Sequence, residues 1–345
     1  MPLTASANVG IIPGLRIHSQ NITELLQELM YIISPAILHH VLCQYPAGYL
    51  YQTKETAMKT ILVATDYSKA ASNALAYAAG IARQLQATLV LYNAFQLPPP
   101  MAVALLSEAQ KNRYLSENTA RLGQTARQLA QLYGITVRWQ TSYAYLDEEL
   151  PRQVVQTGAD LVVMGMRSSS TSSSLMGNTA ITLLRHAHYP VLLVPEEAYF
   201  TPLSRILFAC DYHLLKAKTP LHLLEELAKA FGSRVQVLHV EKEEALLVGA
   251  HEGPVHTKAL QLETVLHQLR HEYKYLEAPD VVAGIEQGIE EFDADLLVMV
   301  PRKAGFWSSM LHESTTANMA FHSRVPLLAL PCTQQHHSLL DVFIK

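Results

Sequence analysis

The residues best suited to chemistry lie in one run, Gly165-Met166-Arg167-Ser168-Ser169-Ser170-Thr171-Ser172-Ser173-Ser174-Leu175-Met176-Gly177-Asn178-Thr179. It opens on a glycine after the apolar stretch Leu161 to Met164 and closes on Gly-Asn-Thr before a helical pattern. Backbone N–H groups at a helix start, helped by the macrodipole, favour an anion such as phosphate. Small side chains let the backbone approach that anion, and hydroxyls add hydrogen bonds. Arg167 is the one basic residue in the run, suited to touching a phosphate or to simple solvation. The lysine of the GxxxxGK[ST] phosphate loop is missing. The competing reading is a Ser-rich surface loop whose Gly177-Asn178-Thr179 caps a helix. Ser168 to Ser174 also offer hydroxyls for phosphorylation.

A second chemical group is Asp66, which follows the apolar run Ile61 to Ala64. A carboxylate there accepts hydrogen bonds from a base or ribose, or helps hold Mg²⁺. It equally suits a helix N-cap, as does Ser68. Other constellations are sparse. His267 and His271 are spaced i,i+4 on an expected helix, with Glu263 and Glu272 near, and read as a solvated face rather than a metal site. His186 and His188 suit a helix C-terminus. There is no GxSxG elbow and no assembled nucleophilic triad. An ATPase would need a positioned water and a stabilising cation. The expectation is binding rather than turnover, with slow ATP hydrolysis or autophosphorylation as a lesser reading.

The elements that must position these groups occur twice. Ile61-Leu62-Val63-Ala64-Thr65-Asp66-Tyr67 returns as Ile206-Leu207-Phe208-Ala209-Cys210-Asp211-Tyr212, an offset of 145 (206 minus 61). Ala159 to Met164 returns as Ala294 to Met299, an offset of 135 (294 minus 159). His186 to Pro195 returns as His322 to Pro331, an offset of 136 (322 minus 186). Three segments in one order at nearly one offset mean a duplicated domain.

Within the first copy, short apolar runs alternate with helical stripes: strands at 61–64, 88–93, 135–140, 161–164 and 191–194, helices between them. A stripe of Ala71, Ala74, Leu75, Ala78, Ala82 and Leu85 predicts a helix lying close to a sheet. Helices are also expected where Leu115, Leu122, Ala126 and Leu129 mark a long one ended by Gly134, and over Leu150 to Val155 and Asn178 to His186. Strands buried on both faces and alternating with helices make an open, parallel α/β sheet. Ligands bind such sheets at the carboxyl ends of the strands.

The copies differ where a ligand would sit. Val300-Pro301 replaces the glycine after the fourth strand, and Pro301 supplies no N–H. Gly305 is displaced, and His312-Glu313 precede Ser314 where the last glycine is expected. A glutamate there repels phosphate. Asp211 survives, read as a cap or turn residue. The second copy also has a longer polar loop, Glu241 to Gly253.

The 345 residues, 49% hydrophobic and 16% charged, describe a globular chain with room for two full cores. A net charge of -4 gives no basic footprint for nucleic acid. Cys43, Cys210 and Cys332 are isolated, which fits a reducing cytoplasm and neither a disulfide framework nor a metal motif. No run of eighteen apolar residues suggests a membrane span. Residues 1–57 match neither copy. Ile22 to Leu42 suits a helix broken near Pro35. The extension is either an accessory segment or an upstream addition to a chain whose true start is Met58.

Ile61 to Ser68 together with Ala159 to Val194 resembles the universal stress protein (UspA) family. The resemblance covers 58–196 well and 203–332 more weakly. Nucleotide-binding members carry G-x2-G-x9-G-[ST] after the fourth strand. Gly165 matches the first glycine and Gly177 the third. Ser168 stands at the second glycine with one residue fewer after it, and Asn178 stands at the Ser/Thr position, followed by Thr179. Asp66 matches the family's acidic residue, and Ala94 the apolar position near the adenine.

The resemblance implies two tandem flavodoxin-like, adenine-nucleotide-alpha-hydrolase-like, open parallel five-stranded sheets: 58–197, then 203–333 with a degenerate ligand loop, and a tail at 334–345. It implies a cytoplasmic stress-response protein with ATP or AMP held by the first domain through Asp66, Ala94, Gly165, Arg167, Ser168, Gly177, Asn178 and Thr179. The alternative is a nucleotide-free scaffold for a partner protein. Val191 to Val194 and Leu327 to Leu330 are expected to pair within the chain as a built-in pseudo-dimer, leaving a further homodimer open.

Overall fold

A computed structural model describes residues 58–96, 107–167, 183–184, 187–211, 219–242, 262–263, 265–301, 319 and 323–331. The chain divides into two compact units, Met1–Thr56 and Ala57–Lys345, and the fold below is that of the second. The expected helix at Ile22 to Leu42 lies outside the described residues.

Strand β1 (Thr60–Ala64) is buried along its whole length. Helix α1 (Lys69–Leu85) starts at Ser68, whose hydroxyl accepts from the Ala71 N–H at 3.1 Å. It stops at Gln86, which turns left-handed and returns its N–H to the last carbonyls. The alanine stripe faces the sheet, with Ala74, Ala78 and Ala82 sealed from solvent. Strand β2 (Thr88–Phe95) leads to helix α2 (Glu108–Tyr133), opened by a reciprocal Ser107–Gln110 capping box and closed at Gly134 with φ 67°.

Strand β3 (Val137–Tyr143) follows, two to three residues later than the expected 135–140, because it pairs Val137 to Tyr143 against Leu89 to Phe95. Helix α3 (Leu146–Thr157) is a turn longer at its start than the sequence suggested. Three acidic residues in its first turn suit the positive end of the dipole, and Pro151 is tolerated inside it. Strands β4 (Leu161–Met166) and β5 (Val191–Pro195) complete the first half. Of the helix expected at Asn178 to His186, Leu183 and Leu184 are described, both helical and buried.

The second half repeats the plan: β6 (Arg205–Ala209), α4 (Leu221–Phe231), β7 (Arg234–Lys242), β8 (Arg270–Ala278), α5 (Val281–Phe292), β9 (Leu296–Met299) and β10 (Leu327–Ala329). Sheet order is β3-β2-β1-β4-β5-β10-β9-β6-β7-β8. Each half is parallel throughout. The halves meet at an antiparallel seam in which Leu193, Leu192 and Val191 face Leu327, Leu328 and Ala329. The expected pairing of the two last strands is therefore present, and it merges the two five-stranded sheets into one of ten strands. The helices support the seam. Phe200 packs edge-on against Tyr77 and Phe231, at 5.2 and 6.2 Å between ring centres. Gln84 Nε2 donates to the Ala230 carbonyl at 2.6 Å.

The expected helix carrying both His267 and His271 is corrected. His267 sits in a turn and His271 in β8, paired with Val235 of β7. The long edge of β7 offers nine residues of ladder, and Arg270 to Ala278 satisfy it in register.

Candidate functional site

In the first domain the strand order places the carboxyl ends of β2, β1 and β4 side by side. Between β1 and α1 the chain turns within four residues. The Thr65 N–H extends the ladder to the Tyr92 carbonyl at 2.9 Å. Its hydroxyl accepts from the Tyr67 N–H at 3.1 Å. Its carbonyl accepts from Asn93 Nδ2 at 2.7 Å. Asp66 Oδ1 accepts from the Ser68 N–H at 2.9 Å. Asp66 is thus not the helix cap; Ser68 is, and the aspartate shapes the turn one step earlier. Its side chain is exposed, so a carboxylate oxygen is available to a ligand at the end of β1.

The turn requires Tyr67 to adopt φ 63°. A bulky residue there costs about 1–2 kcal/mol. Compensation comes from α2: the Arg121 guanidinium lies 3.8 Å from the Tyr67 ring centre, and the Tyr67 hydroxyl donates to the Asn118 carbonyl at 3.4 Å. Burial pushes the Tyr67 phenol up, with Arg121 opposing it.

Gly165 stands on β4, opposite Val194 of β5. A Cβ here would come within 2.3 Å of the Ala70 carbonyl group and 2.6 Å of Ala71 N. These are backbone atoms of the first turn of α1, which cannot yield. The glycine therefore has a packing reason: it lets α1 begin directly on the sheet. Ala94 is half-buried near the end of β2, opposite Ser142. Arg167 is exposed immediately after β4. The structure brings Asp66, Ala94, Gly165 and Arg167 to the same end of the sheet. Ser168, Gly177, Asn178 and Thr179 lie outside the described residues.

Sequence reasoning passed over Asn93, Tyr67 and Arg121. Asn93 is 2% exposed, and its Oδ1 has no hydrogen-bond partner. Its signal was a lone amide inside the apolar strand Thr88–Phe95. The Tyr67–Arg121 contact joins residues far apart in sequence and left no such signal.

The second domain uses the same frame with other groups. By register, Cys210 and His239 stand where Thr65 and Asn93 stand. His239 Nδ1 donates to the Cys210 carbonyl at 3.0 Å. Burial, then the Asp211 carboxylate, pushes the Cys210 thiol well above its usual range, which makes it inert. Val300 is buried in the place of Gly165. Gly305 and His312 to Ser314 lie outside the described residues.

On the outer edge, His271 Nε2 lies 3.3 Å from Glu263 Oε2, and the Tyr273 hydroxyl donates to the same oxygen at 2.7 Å. Among the described residues no group of three or more His, Cys, Asp or Glu could hold a metal ion. Among them, too, no helix is long and apolar enough to cross a membrane.

Comparison with known proteins agrees with this frame. The model of the universal stress protein family matches residues 58–195 and again 202–331. Universal stress protein G of Shigella flexneri and of Escherichia coli O157:H7 is 34% identical over 58 residues, which is 17% of this chain and 41% of each relative. The chain thus spans less than half the length of the curated relatives it matches. The crystal structure of a universal stress protein from Archaeoglobus fulgidus DSM 4304 superposes with TM-score 0.61 at 18% identity, over 79% of this chain and 98% of that one. A putative universal stress protein from Pseudomonas aeruginosa UCBPP-PA14 gives TM-score 0.55 at 15% identity, over 80% and 94%. At these identities the superpositions speak for the fold, while the double family match shows that this chain belongs to the universal stress protein family as a tandem two-domain member.

Proposed function

We propose that the first domain holds an adenine nucleotide, ATP or AMP, and that the second is its ligand-free partner, so that the chain serves the stress response in the cytoplasm by binding. One observation carries this reading. At the carboxyl ends of β1 and β4 the first domain presents the exposed Asp66 and Gly165 with the first turn of α1 packed on it, whereas the second presents buried Val300 followed by Pro301. Asp66 would accept from ribose hydroxyls, Ala94 would lie against the base, and Arg167 with the small residues Ser168, Gly177, Asn178 and Thr179 would face the phosphates. Asp66 already gives one oxygen to the Ser68 N–H, so a Mg²⁺ ion would rely on phosphate and water for most of its ligands.

The test is native mass spectrometry of protein purified without added nucleotide, beside titration calorimetry with ATP. One adenine nucleotide per chain, lost in Gly177→Asp, supports the reading. No bound mass and no heat at millimolar ATP removes it.

A second reading, a nucleotide-free scaffold for a partner protein, draws on the Gly165 contact. Packing of Ala70 accounts for that glycine with no ligand present.

A further inference from the structure

We propose that the working chain begins at Met58 and that its α-ammonium group occupies a two-carboxylate site bridging the two domains. Met58 is 3% exposed, and its nitrogen donates to Glu226 Oε1 of α4, 168 residues further on. The other carboxylate oxygen, Glu226 Oε2, is buried with no hydrogen-bond partner. Asp160, just before β4, adds a second carboxylate: its Oδ2 accepts from the N–H groups of Lys59 and Thr60 at 2.9 and 3.1 Å.

A peptide N–H at Met58 offers one hydrogen and no charge. It leaves one buried carboxylate oxygen empty and two negative groups converging on the start of β1. Burial pushes the Glu226 carboxyl up, the Met58 N–H opposes this and Asp160 adds to it, and the net rise is the direction expected when a countercharge is missing. An α-ammonium offers three hydrogens and a full positive charge. It would fill the second oxygen and offset both carboxylates.

Two boundaries agree. The compact unit begins at Ala57 and the family match at residue 58. The ammonium would tie β1 of the first domain to α4 of the second, beside the α1–α4 contact already described.

The experiment uses the gene with its own upstream message and a C-terminal tag, in its native producer. Intact mass of the purified protein is read with and without a stop codon at Gln20. Expected in both cases is a chain running from Met58, with the yield unchanged by the stop codon. A mass that includes residues upstream of Met58, or loss of product with the stop codon, overturns the proposal. The site itself is read by Glu226→Gln, which keeps an acceptor for an amide and removes the charge. With an ammonium the thermal midpoint falls by about 3 °C or more. An unchanged or raised midpoint overturns the ammonium site whatever the mass shows.

Discussion

The ends of β4 and β9 occupy equivalent places in the two halves and have been solved differently. At Gly165 the first turn of α1 lies on the strand with its backbone almost touching. At Val300 a side chain fills that place, and helix α4 begins only at Leu221, after Pro220, eleven residues long against seventeen for α1. The pairing Thr219-Pro220 suits a late start, because a residue before proline is pushed out of the helical region. At Gly165 the absence of a Cβ is what lets the helix N-terminus stand so close to the strand end. A positive helix end near the exposed carboxylate of Asp66 is the frame on which the proposed nucleotide site rests. The same fold with valine is a packing frame.

The largest effect should come from carrying the second domain's residue into the first. Gly165→Val places its Cβ against the Ala70 backbone, and overpacking against atoms that cannot move costs about 3 kcal/mol. Urea unfolding of this variant should show that loss, with nucleotide heat gone as well. A variant as stable as the parent would end the account of Gly165. The reverse change, Val300→Gly, should cost about 2 kcal/mol through lost burial and a looser chain, without creating a nucleotide site.

The polar positions sharpen the comparison further. Asn93 and His239 both bind the carbonyl just beyond the first strand of their domains. Asn93 is sealed, so Asn93→Ala leaves a buried carbonyl unpaired and should cost about 2 kcal/mol. His239 is half-buried, water can replace its bond, and His239→Ala should cost about 1 kcal/mol. Equal losses in paired denaturation curves would show that burial does not separate the two sites. Asp66→Ala should barely move stability, by about 0.5 kcal/mol for an exposed turn residue. Its effect should appear instead as a weaker ATP heat, about tenfold in Kd, the scale of one hydrogen bond to a charged group.

These contrasts also mark how far the sequence could be read. The duplication, the parallel halves and the β5–β10 seam were legible because buried strands leave continuous apolar runs such as Ile61 to Ala64 and Leu327 to Leu330. Asp66 was legible as an acidic group at a strand end, but its place two residues before the Ser68 cap was not. Both residues are good caps, and only the backbone geometry chooses between them. His267 and His271 misled because i,i+4 spacing implies a shared helix face only when a helix is present. There the open edge of β7 recruits Arg270 onward as a strand. The reason for Gly165 was invisible, since glycine at a strand end fits both a phosphate turn and a close helix. What separates them is Ala70, almost a hundred residues away.

The smallest expected effect concerns acid. Three carboxylates in the second domain are held below their usual range: Glu263 by the Tyr273 hydroxyl, Glu272 by Gln236 and Arg234, and Glu291 by Lys274 and Gln287. Each gains its partner only on folding. Its contribution is complete above the unfolded glutamate value of about 4.3 and fades as pH falls through the lower folded value. All three side chains reach solvent over a third or more of their surface, so screening keeps the combined contribution modest. Around α3 the ion pair of Arg152 with Glu149 stays within one helix and ties no second element to it. Hydrogen exchange between about pH 4.5 and 3 should therefore show β8 and α5 opening before β3 and α3. Simultaneous opening would mean that the seam couples the two halves more strongly than their surface charges distinguish them.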